Sequence, residues 1–68
     1  MKTNLEYYRK KAGLTITELA DKTGISISTL SRVEKGAYDL SGSKWLIIAD
    51  AFGLTVDELI RYNYGKEV

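Results

Sequence analysis

Cysteine, histidine and proline are all missing from this sequence of 68 residues. Without cysteine there is no disulfide, and without histidine no Ser-His or Cys-His nucleophilic site; lacking both, the chain has no zinc finger and few transition-metal ligands. No metal, cofactor or small-molecule ligand is expected. Long apolar runs are missing too. The longest, WLII at Trp45 to Ile48 with ADAF behind it, is far shorter than the roughly 18 residues of a membrane span. No charged-plus-apolar signal segment stands before the first amphipathic stretch, so a cytosolic chain is expected. Five tyrosines raise the question of a strand-transferring nucleophile. No histidine or arginine cluster accompanies them to activate a phosphate, and no catalytic residue is expected.

What remains is one small domain over residues 1–68, close to the lower size limit for folding on apolar burial alone. The net charge is only +1, but it is unevenly placed. Residues 1–35 carry seven basic and four acidic side chains, a net of +3, whereas residues 36–68 carry three and five, a net of −2. A basic N-terminal half fits an anionic partner on that side, although chance scatter of solvated charge gives the same sum.

No strand alternation is visible, and glycines with Ser/Thr residues punctuate the chain at short intervals. Five helices are expected. Leu5, Tyr8, Arg9 and Ala12 mark one face of a first helix ending near Gly13. Thr15 and Glu18 form a capping box for a second, with Leu19 and Ala20 inward and an end near Lys22, before Gly24. Ser26 caps a third helix, residues 26–35, which stops at Gly36. A fourth starts near Ser41, turns Trp45, Ile48, Ala49 and Phe52 inward and closes at Gly53. Thr55 and Glu58 cap a fifth, with Val56, Leu59 and Ile60 inside. The bundle is expected over about residues 3–62, followed by a short tail, 63–68.

Two charges interrupt the apolar faces. Arg9 lies on that of the first helix and Glu34 beside Leu30 and Val33 on that of the third. A lone buried charge costs several kcal/mol, so a mutual ion pair is the economical reading, the alternative being that both side chains snorkel outward. The second and third helices are joined by a short turn holding Gly24 and the apolar Ile25. That is the layout of a helix-turn-helix, in which a left-handed glycine makes the bend and the next apolar residue plugs the angle. It leaves Ile27, Ser28, Ser31 and Arg32 as an outward row on the third helix.

The stretch LTITELADKTGISISTLSRVEKG, followed by WLIIADAFGLTVDELI, resembles the Cro and C1 phage-repressor type of helix-turn-helix domain. The likeness covers about residues 4–60. It rests on Leu19-Ala20, Gly24, Ser28-Thr29-Leu30-Ser31-Arg32, Glu34 to Gly36, Ala49, Phe52-Gly53-Leu54 and Asp57-Glu58-Leu59 in this order and spacing. The resemblance implies an all-α, lambda-repressor-like five-helix bundle with an internal Arg9–Glu34 ion pair, in a cytoplasmic regulator of bacterial or phage origin. It also implies that the third helix enters the DNA major groove. Base contacts then fall to Ile27, Ser28, Ser31 and Arg32, with Arg32 suited to guanine O6 and N7 and Ile27 to a thymine methyl. Phosphate contacts fall to the start of the second helix at Thr15, Ile16 and Thr17, to Ser26 and Thr29, and to Lys35 and Tyr38.

Two departures from many relatives, an apolar Ile16 and the loop residues Asp39 and Leu40, point to fewer phosphate contacts and a shallow salt dependence. Surplus apolar surface at Leu46, Ile47 and Tyr62 suggests a homodimer interface, unless Leu46 only broadens the core. A dimer would read a pseudo-palindromic operator in double-stranded DNA. The function expected is that of a transcriptional repressor. An antitoxin or restriction-modification controller uses the same module, and a protein-interaction module without DNA binding is the alternative of another class.

Overall fold

The computed structural model describes residues 3–61, within which it has five helices and no strand. They are α1 (Leu5–Lys11), α2 (Ile16–Thr23), α3 (Ile27–Glu34), α4 (Gly42–Phe52) and α5 (Val56–Ile60). Tyr62 and the tail 63–68 lie outside the described residues. No helix among those described is long and apolar enough to cross a membrane.

Local chemistry sets most of the helix starts. The Thr15 hydroxyl accepts the Glu18 backbone N–H at 3.1 Å, and the Glu18 carboxylate accepts that of Thr15 at 2.8 Å. Thr55 and Glu58 repeat the arrangement at 3.2 and 2.9 Å. Each box satisfies two N–H groups that a helix start otherwise leaves open. Ser41 does stand at the start of α4, but its side chain makes no capping bond; its hydroxyl lies 3.1 Å from that of Ser43 instead.

The helices close on one core, with α2 against α3 and α4, α1 against α3 and α5, and α4 against α5. Leu5, Leu19, Leu30, Ile48 and Leu59 are fully buried, and Val33, Ala49, Trp45 and Ile25 complete the centre. Full burial of one such leucine contributes about 1.5–3 kcal/mol. Leu40, expected in the loop after α3, turns inward to the core and is buried. Ala12 departs from expectation: α1 stops one residue earlier, at Lys11, and Ala12 is its exposed C-cap. The heptad-like spacing extended one position beyond the helix itself.

The start of α1 meets the end of α5 through Asn4. This residue occupies the N-cap position of α1, yet its side chain makes no capping bond there. Its Nδ2 donates instead to the backbone carbonyls of Glu58 and Arg61, at 2.7 and 2.6 Å, and its own N–H donates to the Leu59 carbonyl at 2.7 Å. Carbonyls at the end of a five-residue helix thereby gain the partners they lack within it. Asn4 Oδ1 is buried with no hydrogen-bond partner, which offsets part of this gain. Asn4→Ala should therefore lower stability by about 1–3 kcal/mol in urea unfolding, with a loss below about 0.5 kcal/mol meaning that water replaces the side chain at α5.

Candidate nucleic-acid interface

The angle between α2 and α3 is made by four residues. Gly24 adopts φ +75°, and its N–H donates to the Ala20 carbonyl at 2.8 Å, ending α2. A side chain strains this left-handed conformation even with space around it, and no atom lies within 4 Å of where a Cβ would stand. The Thr23 hydroxyl donates to the Leu19 carbonyl and accepts from the Ile25 N–H, which draws Ile25 inward. Ile25 is buried between the helices. Extended Ser26 then starts α3, its hydroxyl accepting the Thr29 N–H at 3.2 Å.

Burial of Leu30 and Val33 fixes the rotation of α3 and so decides what faces outward. Ile27, Ser28 and Arg32 are exposed, while Ser31 is half-buried between the two faces. Ile27 retains 48% of its surface in water. The expected row thus exists, with Ser31 at its edge. Arg32 has no ion-pair partner among the described residues, and neither do Lys22 and Lys35. The exposed carboxylates of Glu18 and Asp21 on α2 offset part of this positive charge.

At the start of α2, the capping box occupies the N–H groups of Thr15 and Glu18. Those of Ile16 and Thr17 have no partner among the described residues. They point along the positive end of the helix dipole, and the Thr17 hydroxyl is exposed beside them. The half-buried Ile16 brings its backbone, with no polar side chain, to the same place. Near the start of α3, Ser26 Oγ donates to Thr29 Oγ1 at 2.8 Å. Thr29 keeps its own hydroxyl hydrogen for an outside acceptor, whereas Ser26 has already given its hydrogen away. Exposed Lys35 is the C-cap of α3, and Tyr38 follows, 47% exposed.

A buried ion pair ties these parts together. Arg9 Nε donates to Glu34 Oε2 at 2.6 Å and Nη2 to Oε1 at 3.1 Å, with the side chains only 12% and 7% exposed. The hydrogen bonds that Arg9 donates to Glu34 raise its pKa further, so the guanidinium is a permanent cation. Its Nη1 donates to the Leu14 carbonyl at 2.8 Å, next to the N-cap of α2. One side chain of α1 therefore holds the end of α3 and the entry to α2. The carboxylate was foreseeable as its partner, but the Leu14 carbonyl carried no sequence signal, since any residue offers one.

A helix-turn-helix family model matches residues 5–59. The chain belongs to this family, the Cro/C1 type of DNA-binding regulators. It is 40% identical over 63 residues to an uncharacterized HTH-type transcriptional regulator of Methanocaldococcus jannaschii, covering 93% of this chain and 96% of that one. A second uncharacterized HTH-type transcriptional regulator, from Archaeoglobus fulgidus, is 33% identical over 93% of this chain and 90% of its own length. Among solved structures, a transcriptional regulator from Listeria innocua superposes with a TM-score of 0.78 at 24% identity. That match covers 91% of this chain and 62% of the other, so the chain spans less than two thirds of that protein, and the likeness is one of fold.

Proposed function

We propose that this protein is a sequence-specific transcriptional repressor that binds double-stranded DNA in the cytoplasm as a homodimer, with α3 in the major groove. The observation that carries the reading is the uncovered face of α3, with Ile27, Ser28 and Arg32 exposed, Lys22 and Lys35 beside it without an ion-pair partner among the described residues, and an open α2 N-terminus. Arg32 donates to a guanine edge, Ser28 and Ser31 exchange hydrogen bonds with bases, and Ile27 covers a thymine methyl. The N–H groups of Ile16 and Thr17 hold one phosphate, helped by the hydroxyls of Thr15 and Thr17. Thr29 near the start of α3, and Lys35 and Tyr38 after its end, hold the DNA backbone, whereas the Ser26 hydroxyl, expected among them, has its hydrogen engaged by Thr29.

Few cations serve these contacts, so affinity per domain is modest and two domains are needed. Leu46 and Ile47 on α4 are 58% and 45% exposed, and their burial between two copies supports the pairing. Ile47→Lys should give a folded monomer in sedimentation, with much weaker operator binding. A wild-type chain that stays monomeric at high concentration, with and without DNA, removes the dimer.

Selection of bound sequences from a random DNA pool tests the reading as a whole. The expected product is a two-fold symmetric motif with half-site centres about 34 Å apart or a multiple of it. Affinity should fall with salt, the logarithmic slope being about −0.9 per phosphate neutralised. No enrichment, or no salt-dependent DNA binding while a protein partner is captured tightly, would leave α3 as a protein-binding surface.

A further inference from the structure

Helix α4 leaves one face uncovered, and the charges on that face are ordered. Ile47 is exposed, and so are Lys44 and Asp50, three positions before and after it. Residues three apart share a helix face. A cation, a branched apolar side chain and an anion therefore run in one row. The side chains of Lys44 and Asp50 have no ion-pair partner among the described residues, whereas Lys10 and Arg61 each pair with a carboxylate one turn away on their own helices.

The row has opposite charges at equal distances from its centre. Turned end for end it presents an anion where the cation stood, so the surface that complements it is a second copy of itself. We propose that α4 is a self-recognition face centred on Ile47, in which Lys44 of each copy meets the partner's Asp50 across a two-fold axis. This rests on the homodimer reading above and adds to it the register of the pairing. Because rows of this kind are inclined about 45° to the helix axis, the two α4 helices cross steeply instead of lying side by side. Ile47 and the flanking Leu46 supply the apolar burial. The rim ion pairs add little affinity, but like charges in their place are costly, so the row selects register and partner more than strength.

Charge reversal separates the possibilities. Lys44→Asp places an anion in the first turn of α4 and Asp50→Lys a cation in its last turn, and both agree with the helix dipole, so neither should harm folding. Circular dichroism checks this. Sedimentation of the full chain should show each single variant self-associating about tenfold or more weakly than wild type, because like charges then face each other twice. The K44D/D50K double variant should regain wild-type association. An equimolar mixture of the two single variants should form a heterodimer of wild-type strength, since one chain then carries only acidic and the other only basic side chains in the row. Single variants that dimerise like wild type, or a double variant as weak as the singles, overturn the α4 register and leave the homodimer standing. A monomeric wild type overturns both.

Discussion

Glu34→Ala should lower the stability of the domain by about 3 kcal/mol, at the lower end of the range for breaking a buried ion pair. The lower end applies because 12% of the Arg9 side chain still reaches water, against 7% for Glu34. The loss is mostly the cost of the stranded guanidinium, left with the Leu14 carbonyl as its remaining acceptor. Replacing both residues with apolar side chains, as in Arg9→Met with Glu34→Leu, should cost much less than the two single changes added together. Urea unfolding of the four proteins gives the coupling energy directly. Additive single effects would mean that the two charges act independently and that the pair does not clamp α1 to α3.

Arg32→Ala is expected to show the opposite profile, with little change in stability and a marked change in DNA recognition. Arg32 is exposed and has no ion-pair partner among the described residues, so its removal should shift folding by no more than about 0.5 kcal/mol. Preference at one base pair per half-site should fall by about 1–3 kcal/mol, the worth of a bidentate contact to guanine. Binding measured on the selected site and on single-base variants separates the two roles. A uniform weakening across all sequences, with a shallower salt slope, would assign Arg32 to a phosphate instead.

The parts of the site that were legible in the sequence are those whose signal is local. Thr15 with Glu18 and Thr55 with Glu58 announce helix starts because a capping box joins residues three apart. Gly24 announces the bend because its φ of +75° suits glycine best. The outward row of α3 followed from the inward one, since burying Leu30 and Val33 leaves Ile27, Ser28 and Arg32 on the other side. Arg9 and Glu34 stood out because a charge on an apolar stripe needs an explanation, and the ion pair supplies it at 2.6 Å.

Asn4 shows where such reasoning ends. It stands at the N-cap position of α1, but its side chain bonds carbonyls at the end of α5, more than fifty positions away, and nothing local in the sequence marks that contact. Leu40 looked like an irregular loop residue and instead closes the core between α3 and α4, because a buried position can be supplied from a loop as well as from a helix. Ala12 fitted the periodicity of α1 yet lies beyond its end, since spacing alone does not tell where hydrogen bonding stops.

The sequence by itself determined the five helices, the helix-turn-helix and the identity of the residues on its outer face, because caps, glycine turns and apolar periodicity all act over four residues or fewer. Tertiary structure decided which distant groups satisfy one another: Asn4 with the carbonyls of α5, Arg9 with the entry to α2, and Leu40 with the core. It also decided that Ser31 sits at the edge of the row, half-buried. Those outcomes depend on how helices pack in three dimensions, and backbone carbonyls and small side chains that gain partners only through packing leave no periodic trace in the chain.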